Sequence, residues 1–194
     1  MHKEVILKEL DAFRICAIDI ETTGLRVPSA KLDDFDEILQ LAIVSEDYSL
    51  KVNEYFMPEY VNDWPDAYKV NQISKETVFD KPLFADRRND IQSILDGFDL
   101  LICYNSDFDL PFLTNQGINL LGKQYLCMMK AFSQLRVHGT KTNKRLRRYS
   151  LKQCADYFGV KIAGMEHDAL VDAKTVLACF KVMRKELGGL AERI

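Results

Sequence analysis

Ile15-Cys16-Ala17-Ile18-Asp19-Ile20-Glu21-Thr22-Thr23-Gly24-Leu25 is an apolar run that ends in two carboxylates and a glycine turn. Residues 15–20 have the length and branching of a buried strand. Side chains alternate along a strand, so Asp19 and Glu21, two positions apart, share one face while Ile18 and Ile20 point to a core. Two carboxylates on one face repel each other unless something positive lies between them. A hard divalent cation that takes oxygen ligands is the natural partner. The alternative is a pair of exposed acids on an edge strand. The apolar approach and the Thr-Thr-Gly turn that follows speak against it.

Outward from this strand, Ile38–Ser45 is a second apolar run, and residues 50–57 alternate as a third, more exposed strand that forms a hairpin with the second. Residues 57–82 hold three prolines and read as a connection. Ile91, Ile94 and Leu95 give residues 84–97 a helical stripe closed by glycine. Residues 99–104 form a buried strand. Residues 105–117 read as a helix with a polar cap and Pro111 in its first turn. Residues 124–128 are a strand running into a short helix, and residues 136–149 a basic loop. Ser150 starts a helix with Leu151, Cys154, Ala155 and Phe158 on one face, and Gly159 stops it. Ala169, Ala173, Val176, Phe180, Met183 and Leu187 form one stripe of a last helix. Five strands, three in a meander and the rest alternating with helices, predict an α/β fold with a mixed sheet and helices packed on it.

With 194 residues, 47% hydrophobic and 28% charged, the chain fits one globular domain spanning 1–194, with 1–12 as an N-terminal extension. Its start does not read as a signal peptide, and no apolar run approaches the ~18 residues of a membrane span. The five cysteines are odd in number, form no CxxC pair and mostly sit in apolar runs, which predicts reduced thiols of a cytoplasmic protein. The formal charge of −3 hides an asymmetry. Residues 110–155 carry nine lysines and arginines and no acid, so the remainder carries −12. Such segregation fits a basic strip that meets phosphates beside acidic regions that hold cations; a solvated loop is the alternative.

Four further positions bear on chemistry. Asp107 and Asp109 lie just past the buried strand 99–104, where either can cap a helix or ligate an ion. His167 and Asp172 stand at the start of the last helix. Five residues turn a helix by about 500°, so the two cannot share a helical face. His167 therefore belongs to the loop ahead of the helix, with Asp168 or a neighbour as its cap, and Asp172 lies one turn in.

Taken together, Asp19-Ile20-Glu21-Thr22-Thr23-Gly24-Leu25, Tyr104-Asn105-Ser106-Asp107-Phe108-Asp109 and His167-Asp168-Ala169-Leu170-Val171-Asp172 resemble the three exonuclease motifs of the DEDD superfamily, His subclass. Within it, the chain is most similar to proofreading epsilon subunits of DNA polymerase III and their stand-alone homologues. The similarity runs over residues 15–184. It implies a ribonuclease-H-like fold and metal-dependent 3′→5′ exonuclease activity on DNA, with RNA as the alternative substrate and an inactive nucleic-acid-binding module as the non-enzyme alternative. It also implies that Asp19, Glu21, Asp109 and Asp172 hold two Mg²⁺ or Mn²⁺ ions ~4 Å apart, with His167 as general base. An imidazole, with its ordinary pKa near neutrality, suits that task. Thr22, Thr23, Gly24, Leu25, Asn71, Asn105 and Phe108 would contact the terminal nucleotide, and Tyr104, Phe112 and Tyr149 are candidates for stacking on bases. Two positions depart from the family pattern: Asn71 replaces a substrate-touching His, and Cys127 or a neighbour replaces an Asp. Lys144, Arg145, Arg147 and Arg148 would grip the strand backbone. The short segment after the last helix favours a stand-alone enzyme over a polymerase-bound subunit.

Overall fold

A computed structural model of the chain describes residues 12–27, 35–137 and 147–191. Five strands, β1 (Ile15–Thr22), β2 (Ile38–Ser45), β3 (Leu50–Tyr55), β4 (Leu100–Cys103) and β5 (Gln124–Cys127), form one sheet in the order β3-β2-β1-β4-β5. The meander pairs are antiparallel, whereas β1–β4 and β4–β5 are parallel. The sheet is thus mixed and the fold ribonuclease-H-like, as the motifs implied. β1 is the middle strand, which removes the edge-strand reading of its two acids.

Helices cover both faces. Ile15 and Ala17 of β1, Ala42 and Val44 of β2 and Ile102 of β4 pack under α5 (Met128–Val137), α6 (Leu151–Phe158) and α7 (Ala169–Ala191). Cys16, Ile18 and Ile20 pack against α3 (Phe84–Asp96) and α4 (Ser106–Asn115) on the other side. The small side chains of Ala17, Ala42, Ala169 and Ala173, all fully buried, let α7 lie directly on β1 and β2. Asp19 and Glu21 continue the row of Ile15 and Ala17. The row turns from apolar to acidic at the N-terminal end of α7.

The ends of α6 were legible to the residue: the Ser150 hydroxyl accepts the Gln153 N–H, and Gly159 closes the helix in the left-handed region. The connection expected over residues 57–82 contains two short helices, α1 (Pro65–Asn71) and α2 (Lys75–Val78). Neither carries an apolar stripe of helical period. Their burial comes from Trp64, Ile73 and Val78, which cover Leu39 in a satellite core. Pro111 lies inside α4 rather than in its first turn, and the Asn105 side chain makes no capping bond. β1 runs two residues further than predicted and includes Glu21 and Thr22.

Candidate active site

β1 carries its acids past the end of β4. The last β1–β4 pair is Ala17 with Ile102, and a bulge follows Glu21. The strand end thus opens into a cleft of ≈ 860 Å³, and Asp19, Glu21, Asp109, His167 and Asp172 all line it. Asp109 comes from the first turn of α4 and is 3% exposed. Its carboxylate takes the backbone N–H groups of Ile20 and of Asp109 itself. Asp107, the competing acid, is exposed and paired with Lys130 Nζ at 2.7 Å. Asp109 thus lies in the cleft wall, and Asp107 faces solvent.

At the α7 entrance Asp168 is the cap: its Oδ1 accepts the Leu170 and Val171 N–H groups, each at 3.0 Å. His167 precedes it in the left-handed region, φ 63°, a conformation a non-glycine residue adopts only when its surroundings enforce it. This turn brings the imidazole back to the acid row. Donor atoms of Glu21, His167 and Asp172 lie within 4.8 Å of one another.

Among the described residues, the electrostatics are those of a crowded, buried acid cluster. Burial, and then the charges of Asp109, Asp172, Glu21 and Asp168, push Asp19 well above the usual carboxylate range. Burial and Asp172 raise Glu21 to about 8, against the pull of a hydrogen bond from Asn71. Burial also raises Asp172, to about 6, while His167 opposes the shift. Among the described residues lining the cleft, the single lysine or arginine is Arg26, and Asp36 holds it. Hard oxygen donors crowded together with one imidazole fit a divalent cation.

The Thr22–Leu25 turn is built around Asp36. Thr23 Oγ1 donates to Asp36 Oδ1 (3.2 Å) and accepts from Glu37 N (2.9 Å), and Thr22 Oγ1 donates to Gly24 O (2.6 Å). A Cβ at Gly24 would stand 2.5 Å from Asp36 Oδ2, so the close approach requires glycine. The threonine hydroxyls are thus engaged in the turn, and Leu25, 84% exposed, is the side chain offered at the cleft lip.

Asn71, Asn105 and Phe108 also line the cleft. Asn71 is 4% exposed, donates to Thr22 O (3.2 Å), accepts from Ile73 N (3.0 Å) and bonds Glu21. Its polar atoms therefore hold the strand end. Phe112 is fully buried in the core and unavailable for stacking. The Tyr104 hydroxyl donates to Tyr149 O (2.7 Å), and the Tyr149 ring packs on Phe132 and on the Arg147 guanidinium. Arg147 and Arg148 are exposed next to Ser150 and Leu151 of the cleft wall, whereas Lys144 and Arg145 lie outside the described residues. Elsewhere the basic strip is partly structural: Lys130 pairs with Asp107, Lys152 with Asp156, and Lys123 donates to the carbonyls of Leu95 and Phe98.

Sequence reasoning missed three buried polar residues ahead of and within β2. Asp36 anchors the turn; Glu37 accepts the N–H groups of Glu59, Tyr60 and Val61 at 2.7–2.9 Å; and Gln40 reaches α7. The available signal was Gln40 itself, a lone amide in an otherwise apolar strand.

The sheet, its two helical layers and this carboxylate–imidazole cluster define a ribonuclease-H-like protein with a site suited to divalent ions. A sequence profile of the Exonuclease family matches residues 16–180, and the chain belongs to that family. It is 26% identical over 170 residues to the DNA polymerase III subunit epsilon of Treponema pallidum, covering 86% of this chain and 74% of that one. Among solved structures it is similar to the nuclease domain of 3′hExo, a DEDDh family member, bound to rAMP (TM-score 0.68, 16% identity, 89% of this chain and 92% of that one). It is also similar to E. coli Exonuclease I in complex with a dA16 oligonucleotide (TM-score 0.67, 15% identity, 89% and 41%). The chain thus spans less than half of Exonuclease I; it spans 64% of the cell-death related nuclease CRN-4. No helix among the described residues is long and apolar enough to cross a membrane.

Proposed function

We propose that this chain is a divalent-metal-dependent exonuclease that removes nucleotides one at a time from the 3′ end of DNA. The observation that carries this reading is the convergence of Asp19, Glu21, Asp109 and Asp172 with His167 at the end of a central strand, in a member of the Exonuclease family. Asp19, Glu21, Asp109 and Asp172 would hold two Mg²⁺ or Mn²⁺ ions. Bound there, such ions supply a readily ionised water and positive charge opposite the phosphate oxygens. His167, in the loop ahead of α7, accepts the proton of the attacking water at an imidazole nitrogen. Asn71 orients Glu21. Leu25, Asn105 and Phe108 shape the pocket for the last nucleotide, Leu25 offering an apolar edge to a base.

Arg147 and Arg148, with Lys144 and Arg145, grip the backbone of the incoming strand. Each phosphate contact adds roughly 0.7 to the logarithmic salt slope for a single strand. Arg147→Ala together with Arg148→Ala is expected to raise KM for long strands, flatten its salt dependence by about that amount per lost contact, and leave kcat on a dinucleotide near wild type. An unchanged salt slope with a lowered Tm would assign the two arginines a purely structural role.

RNA is the second reading, favoured by the comparable likeness to a structure that holds rAMP. A polymerase partner is a further proposal, resting on the name of the curated relative. The deciding experiment digests DNA and RNA of one sequence, labelled at either end. Release of the 3′ label as a mononucleotide in the first turnovers, with a descending ladder from the 5′-labelled strand, is expected for DNA. Internal cuts, or early loss of the 5′ label, would overturn the reading.

A further inference from the structure

Gln40 is 1% exposed, on the face of β2 that Ala42 and Val44 present to α7. Burying an amide in such a layer is costly unless each of its polar atoms finds a partner. All of them do. Oε1 accepts the backbone N–H of Ala169 (3.1 Å), and Nε2 donates to Asn53 Oδ1 (3.0 Å) and Asp168 Oδ2 (3.4 Å). The Ala169 N–H can only donate, which fixes the amide orientation.

The first N–H groups of a helix have no intrahelical partner. In α7 the Leu170 and Val171 groups go to Asp168 Oδ1, and the Asp172 N–H goes to Asp168 O. The Ala169 group goes to a side chain 129 positions earlier in the chain. The same amide holds the second oxygen of the capping Asp168. Gln40 is also the register partner of Glu21 on the neighbouring strand, so the two side chains stand on one face. The amide thus stands beside Glu21 and bonds the helix entrance that carries His167 and Asp172.

We infer that Gln40 is a positioning residue: it fixes the distance between Glu21 and the His167–Asp172 pair by docking the N-terminus of α7 onto β2. The inference rests on the reading of this cluster as the active site. Asn53 extends the bond chain to the sheet edge, and Asp168 is held from both sides, so the loop that sets His167 in its left-handed conformation has a fixed foundation. A displacement of about 1 Å in such a geometry costs on the order of 10²-fold in rate.

The test uses two variants. Gln40→Met keeps volume but offers the Ala169 N–H no oxygen. Gln40→Glu keeps an acceptor there and sets a carboxylate against Asp168 instead of a donor. The protein has three histidines, so the His167 ring can be assigned in NMR spectra of the metal-free full chain. Both variants are expected to move the His167 ring resonances while those of His2 and His138 stay, and to lower kcat in Mg²⁺ tenfold to a hundredfold with a smaller change in KM. Ile43→Val and Ile43→Ala, on the opposite face of β2, bracket the loss of Tm; they should leave the His167 resonances and the kcat below Tm unchanged. If Gln40→Met fails to fold, Gln40→Glu decides alone. Wild-type His167 resonances and kcat in the folded variants would overturn the inference. A wild-type protein without exonuclease activity would instead overturn the proposed function, and the resonance shifts would still judge the positioning role.

Discussion

His167 is the side chain whose role the geometry leaves most open to experiment. It lies within 4.8 Å of donor atoms of Glu21 and Asp172, which suits a metal ligand as well as a proton acceptor. We propose the proton acceptor, the role that the resemblance implies for it. His167→Ala is expected to lower kcat by ~10²–10⁴-fold while Mn²⁺ affinity, read by calorimetry, stays near wild type. A large loss of affinity would make His167 a ligand. Asp19 and Glu21 were legible because strand alternation is a local rule. Asp109 over Asp107 needed the motif, since both acids sit in the first turn of α4 and spacing alone treats them alike. The support that Asn71 gives to the strand end was not legible, because its partners, Thr22 O and Glu21, lie some fifty residues earlier in the chain.

The elements show the same division between local and distant causes. α6 and the stripe of α7 were readable because caps and 3.6-residue periodicity act within the element. The helices inside residues 57–82 were not, because a seven-residue helix without an apolar stripe owes its order to what anchors its approach. That anchor is Glu37, whose carboxylate collects the N–H groups of Glu59, Tyr60 and Val61 just ahead of Trp64 and α1. α1 in turn supplies Ala67, Val70 and Asn71 to the cleft wall. Hydrogen bonds to a charged group contribute about 1.5–3 kcal/mol each, and the freed N–H groups partly regain water, so Glu37→Ala should cost roughly 3 kcal/mol. Trp64 is the only tryptophan of the chain, and its emission during denaturant unfolding reports this region directly. A variant with wild-type midpoint and emission would show that the wall stands without its anchor.

Over the whole molecule, function and stability pull in opposite directions at the end of β1. Glu21 and Asp172 have folded-state pKa values raised to about 8 and about 6, so the metal-free folded state holds protons that the unfolded chain releases. A raised folded pKa gives stability that is present at low pH and lost as pH rises through the folded value. From these groups the Tm of the metal-free protein should climb as pH falls from about 8.5 to about 5. Saturating Mg²⁺ should flatten that climb, because ions bind the ionised carboxylates. Below that window Asp99 and Asp47 oppose the trend, since hydrogen bonds from Arg14 and Ser45 respectively hold them below the usual carboxylate range. A metal-free Tm that rises with pH between 5 and 8.5 would contradict the picture of crowded acids. The most direct measurement follows Mn²⁺ binding by calorimetry and release of the 3′-terminal nucleotide in the same preparations, wild type beside Asp19→Asn. The prediction is that nucleotide release rises with metal occupancy in the wild type and is absent in EDTA. Asp19→Asn should bind Mn²⁺ weakly and release nothing, while its metal-free Tm exceeds that of the wild type. Full-rate release in EDTA, or by Asp19→Asn, would contradict a metal-dependent exonuclease built on these carboxylates.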